Sequence, residues 1–304
     1  MAQGSRMQTV VAATDFSVNA QGAIDWAAQL ARTHGARLVL VHALLPPISP
    51  TAAPEFVPLP AEAYEEERKR AEEALAERAA ALRKTGCEVE ADLQPGSAVS
   101  TVLEAVDRWK ADVLVAGTRG LTGFKRVLLG STAARFVREA ACPVLTVHPD
   151  EASRHRPIHR ILVPTDFSDD AALALTVAGK VVGPVTDHAR VTLLHVFRLP
   201  HEIVTPWPAP VLIQASRDIE SEARQRLEEV AKPLRELGLD VDVLAREGYP
   251  PEIIDEEARR IDADLIAMGT HGRSGLKRLF LGSTAERVLP AAPCPVLTVR
   301  EAES

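Results

Sequence analysis

Short apolar runs of Val, Leu, Ile and Ala alternate along this chain with longer stretches in which apolar residues recur at helical spacing. Alternation of that kind predicts parallel strands joined by crossover helices. The runs near Thr9–Ala13, Arg37–His42, Glu88–Leu93, Asp112–Ala116 and Pro143–Val147 predict five strands, and those near Arg160–Pro164, Arg190–Val196, Val241–Ala245, Asp264–Met268 and Pro295–Val299 predict five more. Runs such as Val113-Leu114-Val115-Ala116 carry no polar alternation, as suits strands covered by helices on both faces. Long charged helices are predicted over Glu62–Lys84 and Ser216–Leu237, with their charge runs facing solvent. The Pro-rich stretch Pro46–Pro60 and its counterpart with Pro200, Pro206, Trp207, Pro208 and Pro210 predict loop insertions after the second strand of each set.

The two sets of strands are copies of one pattern. Thr-Asp-Phe-Ser stands at Thr14–Ser17 and returns 151 residues later at Thr165–Ser168; Cys-Pro-Val-Leu-Thr-Val stands at Cys142–Val147 and returns 152 residues later at Cys294–Val299. A repeat of that length is a domain duplication and not a solenoid unit. The fold class that follows is α/β, two tandem doubly wound domains, each a five-stranded parallel sheet flanked by helices. The first is expected over residues 1–148 and the second over 158–304, joined by the polar linker 149–157 with Pro149 and Pro157.

With 304 residues, each half is long enough to bury its own core. The composition, 46% hydrophobic but only 4% aromatic, fits a core of aliphatic side chains. A formal charge of −7 argues against a nucleic-acid groove or an anionic membrane surface as partner. No apolar stretch reaches the roughly 18 residues of a membrane span, and Met1–Met7 lacks a signal-peptide pattern, so a cytoplasmic location is expected. Of the three cysteines, Cys142 and Cys294 share one repeat position before an apolar run and read as packing residues.

Candidate chemistry gathers after the fourth strand of each copy. Gly117 and Gly120 are followed after nine residues by Gly130-Ser131, and Gly269, Gly272 and Gly282-Ser283 repeat that spacing. Glycine lets backbone approach phosphate oxygens, and a helix beginning at Ser131 or Ser283 offers unpaired N–H groups to an anion. The pattern is neither a P-loop nor the Gly-x-Gly-x-x-Gly fingerprint. Its plainer reading is a helix cap, and Ser283 with Glu286 has the spacing of a capping box. Asp15 and Asp166 lie just past the first strand of each copy, at the end of the sheet where open α/β folds bind ligands. Each suits a ribose, an amino group or a phosphate-bound metal; the alternative is that Asp15 or Ser17 caps the next helix. His42 and His195 end the second strands and read as structural. Arg119, Lys125 and Arg126, with His271, Arg273, Lys277 and Arg278, fall within the glycine-rich segments, where they suit either a polyphosphate or solvent. There is no Gly-x-Ser-x-Gly elbow and no Ser-His-Asp or Cys-His set in a strand-turn-helix context, so binding is favoured over catalysis.

Taken together, these motifs resemble the universal stress protein family in its ATP-binding branch, over nearly the whole of both halves. The resemblance implies strand order 3-2-1-4-5 and domains paired through their last strands, within one chain or with a homodimer as a further option. It implies an adenine nucleotide, ATP or ADP, as cofactor, with Mg left open. It assigns the nucleotide contacts to Asp15, Ala43, Gly117, Gly120, Gly130, Ser131 and Thr132 in the first copy, and to Asp166, Val196, Gly269, Gly272, Gly282, Ser283 and Thr284 in the second. Small departures separate the copies: Ala13 stands where the second has Pro164, and Ala116 where it has Met268. The expected function is a regulatory stress-response module with an unidentified protein partner and little or no turnover. The rival is a slow ATP hydrolase or another adenine-nucleotide-processing enzyme. An adenylyl-transferring relative would carry Ser-Gly-Gly-x-Asp-Ser or His-Ile-Gly-His, and neither occurs.

Overall fold

The computed structural model describes residues 7–46, 61–118, 129–148, 157–182, 189–199, 209–236, 238–270 and 281–300. They form ten strands and eight helices in two compact units. The first unit holds β1 (Thr9–Ala13), α1 (Val18–His34), β2 (Arg37–Leu44), α2 (Ala61–Arg83), β3 (Glu88–Pro95), α3 (Ala98–Trp109), β4 (Val113–Gly117), α4 (Ser131–Glu139) and β5 (Val144–Val147). The second holds β6 (Arg160–Pro164), α5 (Asp169–Val182), β7 (Arg190–Phe197), α6 (Ala209–Glu236), β8 (Asp240–Glu247), α7 (Pro250–Arg260), β9 (Leu265–Gly269), α8 (Ser283–Ala291) and β10 (Val296–Val299).

Within the first unit the strand order is β3-β2-β1-β4-β5, and within the second β8-β7-β6-β9-β10, all neighbours parallel. Each unit therefore has the predicted 3-2-1-4-5 order. Its central strands have no solvated face: Val10, Val11, Ala12, Leu114 and Val115 are fully buried, as are Leu162 and Ile266 in the second unit. That is why these segments read as unbroken apolar runs. The order reverses between the first and fourth strands, so a crevice opens at their carboxyl ends, where Ala13 and Gly117, or Pro164 and Gly269, end the ladder.

Local chemistry fixes the helices around this frame. Ser17 Oγ accepts from Ala20 N (3.1 Å) at the start of α1, and Gly35 closes the helix in the left-handed region at φ +58°. Asp112 and Asp264 hold the starts of the first strands: one carboxylate oxygen accepts from Gln8 N and Thr9 N, the other copy's from His159 N and Arg160 N. One expectation is corrected. Helix α6 begins at Ala209 and not near Ser216, with Pro210 in its first turn, where a missing N–H costs nothing. The rest of that proline stretch, and Pro47–Pro60 of the first, lie outside the described residues. No described helix is long and apolar enough to cross a membrane.

Candidate functional site

Both crevices are built on the same turn. In Thr-Asp-Phe-Ser the Thr14 hydroxyl accepts from Phe16 N (3.1 Å) and Asp15 Oδ1 from Ser17 N (3.0 Å); Thr165 and Asp166 repeat these bonds with Phe167 N and Ser168 N, both at 3.0 Å. The turn forces Phe16 to φ +59° and Phe167 to φ +63°, a region that bulky residues rarely occupy. Surrounding contacts over-determine it. Thr14 N donates to Val41 O (2.9 Å), and His42 Nδ1 meets Thr14 O at 2.8 Å while its ring lies 4.3 Å from that of Phe16. His195 does the same for Thr165 O at 2.7 Å, with Phe167 at 4.6 Å. A carbonyl only accepts, so Nδ1 carries the proton in both histidines. These histidines hold in place the turn that carries the aspartate, a role that residue type alone does not reveal.

The glycine-rich segments are tied at their roots. Gly130 N donates to Thr118 O (2.9 Å) and Gly282 N to Thr270 O (2.8 Å); Thr118 N and Thr270 N in turn donate to Val147 O and Val299 O, both at 2.9 Å. Both threonines are buried. Gly120 and Gly272, and with them Arg119, Lys125, Arg126, His271, Arg273, Lys277 and Arg278, lie outside the described residues.

The helices begin at Ser131 and Ser283 as expected, and the alternative reading of these serines as N-caps is corrected. Gly130 and Gly282 are the N-cap residues of α4 and α8, so Ser131 and Ser283 are the first helical residues, and the Ser283–Glu286 capping box is out of step. No side chain caps either helix, whereas Ser17, Ser97 and Ser168 accept first-turn N–H bonds at α1, α3 and α5. With Ser131 and Ser283 exposed, the first turn of α4 and α8 presents backbone donors and a hydroxyl to the crevice. Unpaired N–H groups and the positive end of the helix dipole together favour an anion there.

Each crevice is a cavity of suitable size for a nucleotide-scale ligand. The first, of about 370 Å³, is lined by Asp15, Ala43, Gly117, Gly130, Ser131 and Thr132 among others. The second, of about 400 Å³, is lined by Asp166, Val196, Gly269, Gly282, Ser283 and Thr284. Thr14, His42, Thr118, Thr165 and Thr270 line them too and were not picked out from the sequence as ligand contacts. Asp15 and Asp166 are the one acidic side chain in each lining, and no group of three His, Cys, Asp or Glu suited to a metal occurs among the described residues. Gly269 has a packing reason of its own: a Cβ there would lie 2.7 Å from Asp170 Cβ and 3.0 Å from Asp170 C. Only glycine lets α5 rest on the end of β9. The three cysteines are free thiols and line neither cavity.

Comparison with known proteins gives consistent matches. The model of the universal stress protein family matches residues 7–148 and again 157–300. The universal stress protein of Mycolicibacterium smegmatis is 29% identical over 304 residues, covering 99% of each chain. A single-copy universal stress protein of Thermus aquaticus is 38% identical over 143 residues, 46% of this chain and 98% of its own. Among solved structures, the universal stress protein of Archaeoglobus fulgidus matches 96% of this chain and 98% of its own with a TM-score of 0.69, at 22% identity.

Proposed function

The chain belongs to the universal stress protein family, and from that premise we propose that it is a cytoplasmic ATP-binding regulatory module with one nucleotide site in each half and little or no turnover. The observation that carries this reading is the uncapped glycine N-terminus of α4 and of α8, each opening into a cavity that also holds one aspartate. In this reading the phosphates sit on the first-turn N–H groups and the Ser131 or Ser283 hydroxyl. Asp15 or Asp166 takes the ribose, and the backbone at Ala43 or Val196 meets the adenine. A magnesium ion riding on the phosphates would need the one aspartate of each cavity in place of the ribose, as the alternative use of that carboxylate. Slow turnover follows from the lining. The sole carboxylate of each cavity accepts a backbone N–H of its own turn, and the sequence offers no Ser-His-Asp or Cys-His set in a strand-turn-helix context beside it. Nucleotide occupancy then acts by favouring one conformation for a partner protein.

Mass spectrometry of nucleotide released from freshly purified chain is expected to show ATP or ADP, and calorimetry of stripped chain two sites. A hydrogen bond to a charged phosphate contributes about 1.5–3 kcal/mol, so Ser131→Ala should weaken one site roughly ten- to hundredfold and Ser283→Ala the other. One nucleotide per chain, lost by changes in a single copy, would overturn the two-site reading. Sustained phosphate release at about 1 per second or faster would overturn the binding-module reading.

A further inference from the structure

The two cavities differ at their rims. At the second, the guanidinium of Arg198 lies 4.6 Å from the centre of the Tyr249 ring and that of Arg287 lies 5.7 Å from it. Each of the three sits just outside a lining residue: Arg198 two residues past Val196, Tyr249 directly before Pro250, and Arg287 one helical turn after Ser283. Helical side chains lean toward the helix N-terminus, so Arg287 is carried back toward the open end of α8. No carboxylate lies within ion-pair distance of Arg198 or Arg287 among the described residues, and the neighbouring Glu247 is held by the Ser216 hydroxyl at 2.6 Å. Two like charges thus share one aromatic ring with most of their donors unused. An Arg stacked on an aromatic ring keeps its N–H edge free for an oxyanion.

The first copy has none of this. Leu45 stands where the second copy has Arg198, and Ser97 where it has Tyr249. Arg135, at the position of Arg287, is clamped by both oxygens of Glu139 at 2.7 and 2.9 Å, while the second copy has Ala291 at the Glu139 position. Three differences at one place, around an arginine both copies share, convert an apolar, neutralised rim into a cationic one.

We propose that Arg198, Tyr249 and Arg287 form a phosphoryl-binding rim that belongs to the second cavity alone. The second site then takes a phosphoryl group in addition to the one held at the start of α8, carried either by the same nucleotide or by a separate anion. This rests on the nucleotide reading of the cavity, and the probes are chosen to separate the two. Full-length chain with the first cavity blocked by Gly130→Leu is titrated with adenosine, ATP and inorganic pyrophosphate. Arg198→Gln and Arg287→Gln should each weaken a phosphorylated probe by about tenfold or more while leaving adenosine within about twofold. Loss of ATP affinity with no pyrophosphate binding to the ATP-saturated parent places the phosphoryl group on the nucleotide; pyrophosphate that binds alongside saturating ATP and is lost in the arginine variants makes it a separate anion. Arg135→Gln in the unblocked chain should leave the first site unchanged. The rim is overturned if ATP and pyrophosphate bind both arginine variants as tightly as the parent, whether or not Ser283→Ala weakens ATP. A parent that binds pyrophosphate through the rim but takes no nucleotide overturns the nucleotide reading and keeps the rim.

Discussion

The two halves join their third strand to their third helix with opposite polarity. In the first, Asp92 on β3 is the buried acceptor, 5% exposed, taking Trp109 Nε1 at 2.8 Å and Arg108 at 3.3 Å from α3. In the second the acid is on the helix: Glu257 of α7, 1% exposed, is held by Arg246 of β8 and by Arg260. The turn at the carboxyl end of the first strand shows the contrary behaviour, with Thr-Asp-Phe-Ser, its two local bonds and its histidine repeated one for one. A strand-helix join needs only complementary partners, and either polarity supplies them. A turn that must hold a Phe at positive φ and aim a carboxylate into a cavity has far fewer solutions.

Reversing one partner of a buried join should produce the largest effect. Asp92→Arg puts a cation beside Arg108 and removes the acceptor of the Trp109 indole, and is expected to destabilise the first half by about 3–5 kcal/mol. Arg246→Asp places its new carboxylate opposite Glu257, but at a side chain 40% exposed, where solvent screens it. Its effect should be clearly smaller. Urea unfolding of the full chain, followed by hydrogen exchange in peptides of each half, separates the two. Equal losses would mean that leaving Glu257 buried against a like charge costs as much as reversing the buried acid itself, and that exposure of Arg246 gives no relief.

A smaller effect is expected from the glycine at the end of β9. Gly269→Ala drives a methyl group into Asp170 and should lower the stability of the second half by about 1–3 kcal/mol before any ligand is added. If the variant keeps its stability and only loses nucleotide, Gly269 serves the ligand and not the packing of α5.

Much of the fold was legible because the central strands are buried on both faces, which leaves a run without polar interruptions. The ends were less so. The stretch Arg37–His42 continues to Leu44, since its ladder partner β3 continues to Pro95. The start of α6 was displaced because Pro210 reads as a breaker until its place in a first turn is known. At the sites, Gly-Ser at 130–131 and 282–283 left the cap ambiguous, and only the backbone identifies glycine as the N-cap. The positioning role of His42 and His195 depends on a carbonyl about thirty residues away in the chain, which no local pattern encodes. The inverted join is invisible to a search for repeats, because complementarity leaves no shared letters.

Identity between the copies does not by itself mark chemistry, and the paired cysteines test this with the smallest expected effect. Cys142 and Cys294 occupy one repeat position, yet both lie outside the cavities. Cys142 is half-buried, and burial pushes its thiol up to about 12 from the ordinary 9.0. At pH 9 about half of the unfolded thiol is ionised but only about a thousandth of the folded one. The folded chain therefore binds the proton more tightly. That contribution to stability is fully present below pH 9 and is lost as pH rises from about 9 toward 12. Iodoacetamide reacts with the thiolate, so at pH 9 Cys142 should be labelled far more slowly in native chain than in urea-unfolded chain. Cys142→Ser should flatten the fall in stability above pH 9 while leaving nucleotide stoichiometry at pH 8 unchanged. Native labelling of Cys142 at the unfolded rate would show a reactive thiol, and identity at this position would then have to be explained by chemistry and not by packing.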